Sequence, residues 1–117
     1  MSSYRELLVW QKSIDFVIDI YKLTNKFPKE EMYGLSSQMR RAAISIPSNI
    51  AEGRTRHTDK EFARFLFIAQ GSRAELETHI IICEKLNYIK NDELVDYMNK
   101  LEEIGKMITS LKKKILV

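Results

Sequence analysis

The chain is short of the residues that break or cross-link regular structure. Its 117 residues include four glycines, two prolines and a single cysteine, Cys83. A β-sheet protein of this length needs more turn residues, so the composition favours helices. One cysteine excludes an intramolecular disulfide, and no apolar run approaches the roughly 18 residues of a membrane span. We therefore expect a single soluble helical domain over residues 1–117, located in the reducing cytoplasm.

Excess charge is also scarce, and what there is lies in one region. The chain has 19 basic and 16 acidic residues, a formal charge of +3. Residues 36–64 contain six basic and three acidic residues, which is the whole excess. A second basic group, Lys112 to Lys114, lies near the end of the sequence. Local basic charge suits an anionic partner such as nucleic acid, although a solvated surface would have the same composition.

Apolar residues recur every three or four positions in four segments, which indicates four amphipathic helices. The first predicted helix begins between Tyr4 and Leu7. It ends near Lys26, because Phe27-Pro28 disfavours helical backbone angles at the residue before proline.

The second predicted helix contains Pro47, yet its apolar positions keep helical phase from Leu35 to Ile50. We therefore predict one helix with a kink, where the proline ring clashes with the carbonyl of Ala43 at a cost of roughly 3 kcal/mol. Gly53 suits the end of this helix. We hypothesise that the kink lets the polar face line a surface between subunits while the apolar face stays in the bundle.

The third predicted helix begins at a capping box formed by Thr58 and Glu61, and Asn87 ends it. Gly71 lies inside this helix, where glycine costs about 1 kcal/mol relative to alanine. We expect another helix to approach closely at that point, with Ala42 and Ala43 as its contacts.

The fourth predicted helix follows Asn91, whose side chain can cap it, and ends in the cationic run of Lys112 to Lys114. Four helices with short connections predict an all-α, antiparallel, up-and-down four-helix bundle. The third helix has more large apolar residues than one buried face requires, which predicts self-association. These surplus residues are Phe67, Ile68, Ile81, Ile82 and Ile89.

Motifs for catalysis or metal binding are sparse. His79 and Cys83 stand four residues apart and could supply two metal ligands, but Cys83 lies on the apolar stripe and His57 is distant. The sequence contains no nucleophile elbow, no phosphate-binding glycine loop and no dinucleotide fingerprint. We therefore predict a protein that is not an enzyme and that uses no metal or cofactor.

Polar residues of the second helix and the start of the third are the best candidates for a binding surface, because arginine and asparagine are apt donors to phosphates and base edges. An internal hydrogen-bond network, or the lining of an oligomer axis, would use the same residue types. The candidate nucleic-acid contacts are Arg40, Arg41, Arg54, Arg56, Arg64, Lys112, Lys113 and Lys114. The candidates for a structural polar cluster are Gln38, Asn49, Glu52 and Glu75.

Several stretches resemble one known family over residues 7–111. They are Trp10-Gln11-Lys12, Phe27-Pro28, Tyr33-Gly34-Leu35, Gln38, Arg40-Arg41-Ala42, the run "SIPSNIAEG" that ends at Gly53, and Gly71-Ser72 with Glu75. Together they are similar to the small four-helix-bundle proteins encoded in intervening sequences of bacterial 23S ribosomal RNA genes. The accessory variability determinant of diversity-generating retroelements is a related protein.

The resemblance implies a four-helix bundle assembled as a ring-shaped homopentamer with a basic surface. For the retroelement branch it implies binding to a reverse transcriptase and to RNA, and for the other branch it implies no defined activity. It offers no catalytic residues. We therefore expect a noncatalytic homo-oligomer that binds RNA or a ribonucleoprotein as an accessory factor. The alternative is a protein–protein interaction scaffold with no nucleic-acid role.

Overall fold

The structure, a computed structural model, describes residues 3–117, and four α-helices contain most of them. The helices are α1 (Leu8–Thr24), α2 (Leu35–Arg54), α3 (Asp59–Lys85) and α4 (Asn91–Ile115). Short 3₁₀ turns at Tyr4–Glu6 and Lys29–Glu31 precede α1 and α2. Residues 3–117 contain no β-strand, which confirms the all-α prediction. Residues 1 and 2 of the predicted domain lie outside the described residues.

Helices that follow one another in the chain pack together, and α1 also contacts α4. Across α2 and α3, Ser45 lies opposite Ser72, whereas Met39, which is earlier in α2, lies opposite Cys83, which is later in α3. Residue numbers that rise along α2 therefore fall along α3, so these two helices are antiparallel, while the up-and-down order of all four helices stays a prediction. The described chain measures 44 × 25 × 20 Å.

One hydrophobic core lies between the four helices, and every helix contributes to it. Burying one large aliphatic side chain in this core stabilises the fold by roughly 1.5–3 kcal/mol. The largest core residues with almost no exposed surface are Ile20, Met39, Ile46, Ile50, Leu66, Leu76, Ile80, Leu101, Ile104 and Ile108.

Four of the five surplus apolar residues are exposed as expected, but Ile89 is only 5% exposed and belongs to the core. The expectation for Ile89 was wrong because helical phase does not extend to it. Asn87 adopts a left-handed backbone (φ 63°), and the chain folds back there. The amide of Tyr88 donates to the carbonyl of Cys83 at 2.8 Å, which closes the end of α3 as predicted.

The start of α3 is also confirmed, while the predicted cap of α4 was wrong. The Thr58 hydroxyl accepts from the Glu61 amide at 3.1 Å. At α4, Asn91 is already the first helical residue, so its side chain cannot cap the helix. The carboxylate of Glu93 instead reaches back to accept from the Lys90 amide at 2.9 Å.

Two glycines have roles that differ from the predicted ones. Gly53 lies inside α2, which continues to Arg54, and a Cβ there would come 2.6 Å from the Cβ of Phe65. Its absence of a side chain lets α3 approach α2, so Gly53 does not terminate the helix. Gly71 is exposed, and no described atom lies within 4 Å of where its Cβ would be.

The predicted contact of Gly71 with Ala42 and Ala43 was therefore wrong. Both alanines are buried in the core, while the neighbour of Gly71, Ser72, is the residue that faces α2. One residue is a rotation of about 100° around a helix, which separates the two positions. Helix α2 runs without interruption through Pro47, and the kink there stays a prediction.

Candidate nucleic-acid interface

Most of the predicted basic residues lie at one end of the bundle, where α2 ends, α3 begins and α4 ends. We call this the basic end and define it as residues 4–6, 52–64 and 112–114. It contains eight basic and four acidic residues, whereas the rest of the chain has eleven and twelve. The net positive charge of the chain therefore resides there. Six of the eight candidate contacts belong to it: Arg54, Arg56, Arg64, Lys112, Lys113 and Lys114.

Buried phenylalanines of α3 support the arginines of the basic end. The guanidinium carbons of Arg56 and Arg64 each lie 4.7 Å from the centroid of the Phe65 ring, and that of Arg54 lies 5.8 Å from Phe62. Cation–π contacts of this kind contribute about 0.5–1 kcal/mol at exposed sites. Helical periodicity identifies these phenylalanines only as apolar positions, so the sequence interpretation missed this supporting role.

Two of these arginines also have carboxylate partners. Arg56 donates to Glu52 at 2.8 Å, and Arg64 donates to Glu61 at 3.1 Å, both within one helical turn. The hydrogen bond from Arg64 is the main reason that the pKa of Glu61 lies below its ordinary value. Such exposed pairs contribute little to stability. They hold the guanidinium groups in place and neutralise part of their charge.

The lysines of α4 join this surface through α3. The ammonium of Lys112 lies 5.3 Å from the centroid of the Phe67 ring. Lys113 and Lys114 follow it and are exposed, with no acidic residue in that last turn. The lysine run therefore supplies a less neutralised part of the basic end than the arginines do.

A polar network that the sequence interpretation missed fixes how α4 sits on α3. The Gln70 amide donates to the carbonyl of Gly105 at 2.9 Å, and Arg73 donates to Gln70 at 2.7 Å and to Glu77 at 2.8 Å. The Arg73 guanidinium occupies the space that a Cβ on Gly105 would need. This network sets the register of the two helices, so it places Lys112 beside Phe67. Nothing in helical periodicity indicates a bond between residues so far apart in the chain.

Arg40 does not belong to the basic end. Its guanidinium donates to the Thr24 hydroxyl at 2.8 Å and to the Asn25 side-chain oxygen at 2.9 Å, and it lies 4.7 Å from the centroid of the Tyr21 ring. A cation at the last turn of a helix is favoured by the helix dipole. Arg40 thus stabilises the end of α1. Arg41 is exposed on α2, roughly 20 Å along the helix from Arg54.

The four residues of the predicted polar cluster do not lie together. Asn49 donates to the hydroxyl of Ser45 at 3.0 Å, and that hydroxyl is 2.8 Å from Ser72, which links α2 to α3. Glu75 lies 3.6 Å from His79 on α3. Glu52 pairs with Arg56 at the basic end, and Gln38 is exposed on the first half of α2.

His79 is buried between α2 and α3, and its Nδ1 has no hydrogen-bond partner within residues 3–117. Burial disfavours the charged imidazolium and lowers the pKa of His79. The Glu75 carboxylate opposes this effect, and the Arg41 charge adds to it. The imidazole is therefore neutral at pH 7.

The thiol beside His79 is a poor metal ligand. Cys83 is fully buried, with its sulfur 3.5 Å from that of Met39, and burial raises the pKa of Cys83 to about 12. Zinc binds the thiolate, which this site disfavours. In the described part of the chain, no three His, Cys, Asp or Glu residues are placed to hold a metal ion. Nor does any helix within residues 3–117 have the length and apolar character to cross a membrane.

Comparison with known proteins identifies a family and similar solved structures. The profile of the 23S rRNA-intervening sequence proteins matches residues 5–110. No curated protein matches the chain. The chain is similar to the crystal structure of a protein with unknown function from the S23 ribosomal protein family of Bacteroides thetaiotaomicron, with 26% identity, 91% of this chain and 99% of that chain covered, and a TM-score of 0.83. This protein belongs to the family of 23S rRNA-intervening sequence proteins.

Proposed function

We propose that this protein is a noncatalytic, homo-oligomeric accessory factor of the cytoplasm that binds RNA or a ribonucleoprotein through its basic end. The observation that carries the proposal is the presence of cationic side chains from α2, α3 and α4 at one end of the bundle. Contacts between such side chains and phosphates supply most of the affinity in nonspecific nucleic-acid binding. They also position the partner without reading its sequence.

The two kinds of cation on this surface have different tasks. Arg56 and Arg64 are held by Phe65 and by their carboxylate partners, so little side-chain entropy is lost when they meet a phosphate. The lysines of α4 act as mobile point charges. We expect the arginines to orient the RNA and the lysines to contribute much of the salt-dependent affinity.

Self-association multiplies this surface. Ile81 and Ile82 are exposed on the second half of α3, and Leu86 is exposed just after its end, away from the basic end. We propose that they form the contact between subunits, in a homopentamer as the family resemblance implies. Several basic ends in one particle raise the avidity for a long RNA without any new contact. Changing Ile81 and Ile82 to glutamate is expected to yield monomers by multi-angle light scattering.

The test of RNA binding removes three charges at a time. The variant Lys112→Ala/Lys113→Ala/Lys114→Ala is expected to bind a fluorescent RNA at least 10-fold more weakly. The slope of log affinity against log salt should fall by about 2, given roughly 0.7 per single-strand phosphate contact. The matched control, Lys22→Ala/Lys26→Ala/Lys29→Ala, removes the same charge from the opposite end and should change both quantities much less.

Two results would contradict the proposal. One is the absence of RNA binding at low salt, and the other is an equal loss in both triple variants, which would reflect net charge alone. The second candidate function is a protein–protein interaction scaffold, which the exposed apolar residues of α3 favour. A reverse transcriptase is its proposed partner if the protein is of the retroelement branch. In that case the lysine variant would leave RNA retention unchanged, and the Ile81/Ile82 variant would abolish capture of the partner.

A further inference from the structure

The phenylalanines at the start of α3 differ sharply in exposure. Phe62 and Phe65 are 4% and 6% exposed and support arginines, whereas Phe67 is 69% exposed. A phenylalanine ring in water forgoes the stabilisation that burial would give it. The core and the arginine contacts of the basic end do not account for the exposure of Phe67.

One cation contacts the exposed ring, and others lie within a helical turn of that contact. The Lys112 ammonium lies 5.3 Å from its centroid, on α4. Arg64 is one helical turn before Phe67 on α3, and Lys113 and Lys114 follow Lys112. Because an aromatic ring has two faces and an ammonium covers one of them, the large exposed fraction of Phe67 leaves a face open beside the basic surface.

An open ring beside cations is the arrangement that binds single-stranded nucleic acid. A base stacks on the aromatic face, while the neighbouring cations contact the phosphates on either side. The bases of a duplex are already stacked and paired, so they are not available to such a ring. Arginine and lysine alone would not distinguish the two forms of RNA in this way.

We infer that Phe67 is a stacking residue for an unpaired base of single-stranded RNA, with the flanking phosphates held by Arg64 and Lys112 to Lys114. This inference rests on the proposed function and adds the class of RNA that the basic end selects. It also separates two roles along α3: the first half contacts RNA, and the second half, with Ile81 and Ile82, contacts another subunit.

The experiment compares Phe67→Ala with Tyr33→Ala, which removes an aromatic ring that is 93% exposed at the opposite end of the bundle. Each variant is titrated with a fluorescent oligouridylate and with an RNA duplex of equal charge. Phe67→Ala should weaken binding to the single strand by roughly 5- to 150-fold, as expected for the loss of one stacked base. Its binding to the duplex, and both affinities of Tyr33→Ala, should stay within twofold of the unchanged protein.

A spectroscopic variant reports contact directly. In a Trp10→Phe background, Phe67→Trp keeps a ring at this position and should bind the single strand with unchanged or higher affinity. Its fluorescence should be quenched by oligouridylate and not by the duplex. Circular dichroism and light scattering of Phe67→Ala should match the unchanged protein, because the ring is exposed and outside the proposed subunit contact.

Different results overturn the two proposals separately. The stacking role is wrong, and RNA binding stands, in either of two cases in which the lysine variant loses RNA binding. In one case Phe67→Ala keeps its affinity for the single strand, and in the other it loses affinity for the single strand and the duplex to the same extent. If Phe67→Ala dissociates the oligomer, the ring is a subunit contact and the stacking role is again wrong. If the unchanged protein binds neither RNA at low salt, both proposals fail.

Discussion

Helix α3 meets α2 in a different way from that in which α4 meets α1. Among the helix pairs that touch, the first pair has the most extensive contact and the second pair has the least. Between α2 and α3, the backbone at Gly53 comes so close to Phe65 that no side chain fits, and Ser45 and Ser72 touch through their hydroxyls. Small residues allow this close approach.

Between α1 and α4, charged side chains join the helices. Lys12 lies 3.0 Å from Glu103, and Lys100 lies 3.2 Å from Asp19, beside a groove of about 230 Å³. These pairs are exposed, so water and salt screen them. The groove leaves room for side chains of either helix to be replaced without steric conflict.

The difference between the two contacts also predicts opposite responses to pH. The hydrogen bond to Asp19 raises the pKa of Lys100, so the stability from that pair is present below the ordinary lysine pKa and is lost at alkaline pH. Burial lowers the pKa of His79 between α2 and α3, so stability there is lost as the solution becomes acidic. The stability of the packed contact between α2 and α3 is therefore sensitive to side-chain volume and to acid. The stability of the ionic contact between α1 and α4 is sensitive to salt and to alkali.

The largest effect is expected from adding one methyl group between α2 and α3. Gly53→Ala places a Cβ 2.6 Å from that of Phe65, and neither atom can rotate away. We expect the free energy of unfolding to fall by about 2 kcal/mol, since overpacking outweighs the gain in helix propensity. Urea denaturation measures this value. An unchanged or raised stability would mean that the two helices are not in close contact.

Acid should weaken the same contact through His79. As the pH falls below 6.5, the unfolded chain binds a proton that the buried imidazole resists, so the free energy of unfolding decreases. Each tenfold difference in proton affinity between the two states corresponds to about 1.4 kcal/mol. Denaturation at pH 7 and pH 5 should show a smaller decrease for His79→Leu. Identical decreases in both proteins would rule out His79 as the cause.

The matched change at Gly71 should have the opposite sign from the change at Gly53. A Cβ at Gly71 meets no described atom within 4 Å, so Gly71→Ala gains helix propensity without steric conflict. The free energy of unfolding should rise by roughly 0.5–1 kcal/mol. If stability falls in the oligomer but rises in the monomeric Ile81/Ile82 variant, another subunit approaches Gly71 closely.

The smallest effect is expected between α1 and α4. Lys12→Ala breaks the pair with Glu103 and should lower the free energy of unfolding by about 0.5 kcal/mol. The difference should vanish in 1 M sodium chloride, where exposed charges are screened within about 3 Å. A loss above 2 kcal/mol, or one that persists in high salt, would show that this contact depends on packing as the other one does.

Helical periodicity and end signals predicted what depends on neighbouring residues in the chain. The helices, the cap at Thr58 and the end near Asn87 are all confirmed, because one turn of backbone determines them. The assignment of Asn91 as a cap was off by one position. The Glu93 carboxylate accepts from the Lys90 amide, so the helix begins one residue earlier than an Asn91 cap would allow, and sequence alone does not rank the two arrangements.

Contacts between helices were less predictable, because rotation about each helix axis decides them. The small residue at Gly71 was expected to pack and is open, while the one at Gly53 was expected to end a helix and is packed. The candidate RNA contacts were chosen by residue type, which cannot distinguish Arg40 from Arg56. Only the structure shows that the Arg40 guanidinium is hydrogen-bonded to Thr24, whereas that of Arg56 lies at the basic end.

The position of the single cysteine, Cys83, makes its reactivity a measure of how often α2 separates from α3. Cys83 sits beneath Met39, so an electrophile can reach its sulfur only while α2 is detached from α3. The rate of alkylation in native buffer then measures how often the two helices detach, and mass spectrometry follows it without an engineered cysteine. Binding of RNA or of another subunit that holds the two helices together would lower the rate of Cys83 alkylation.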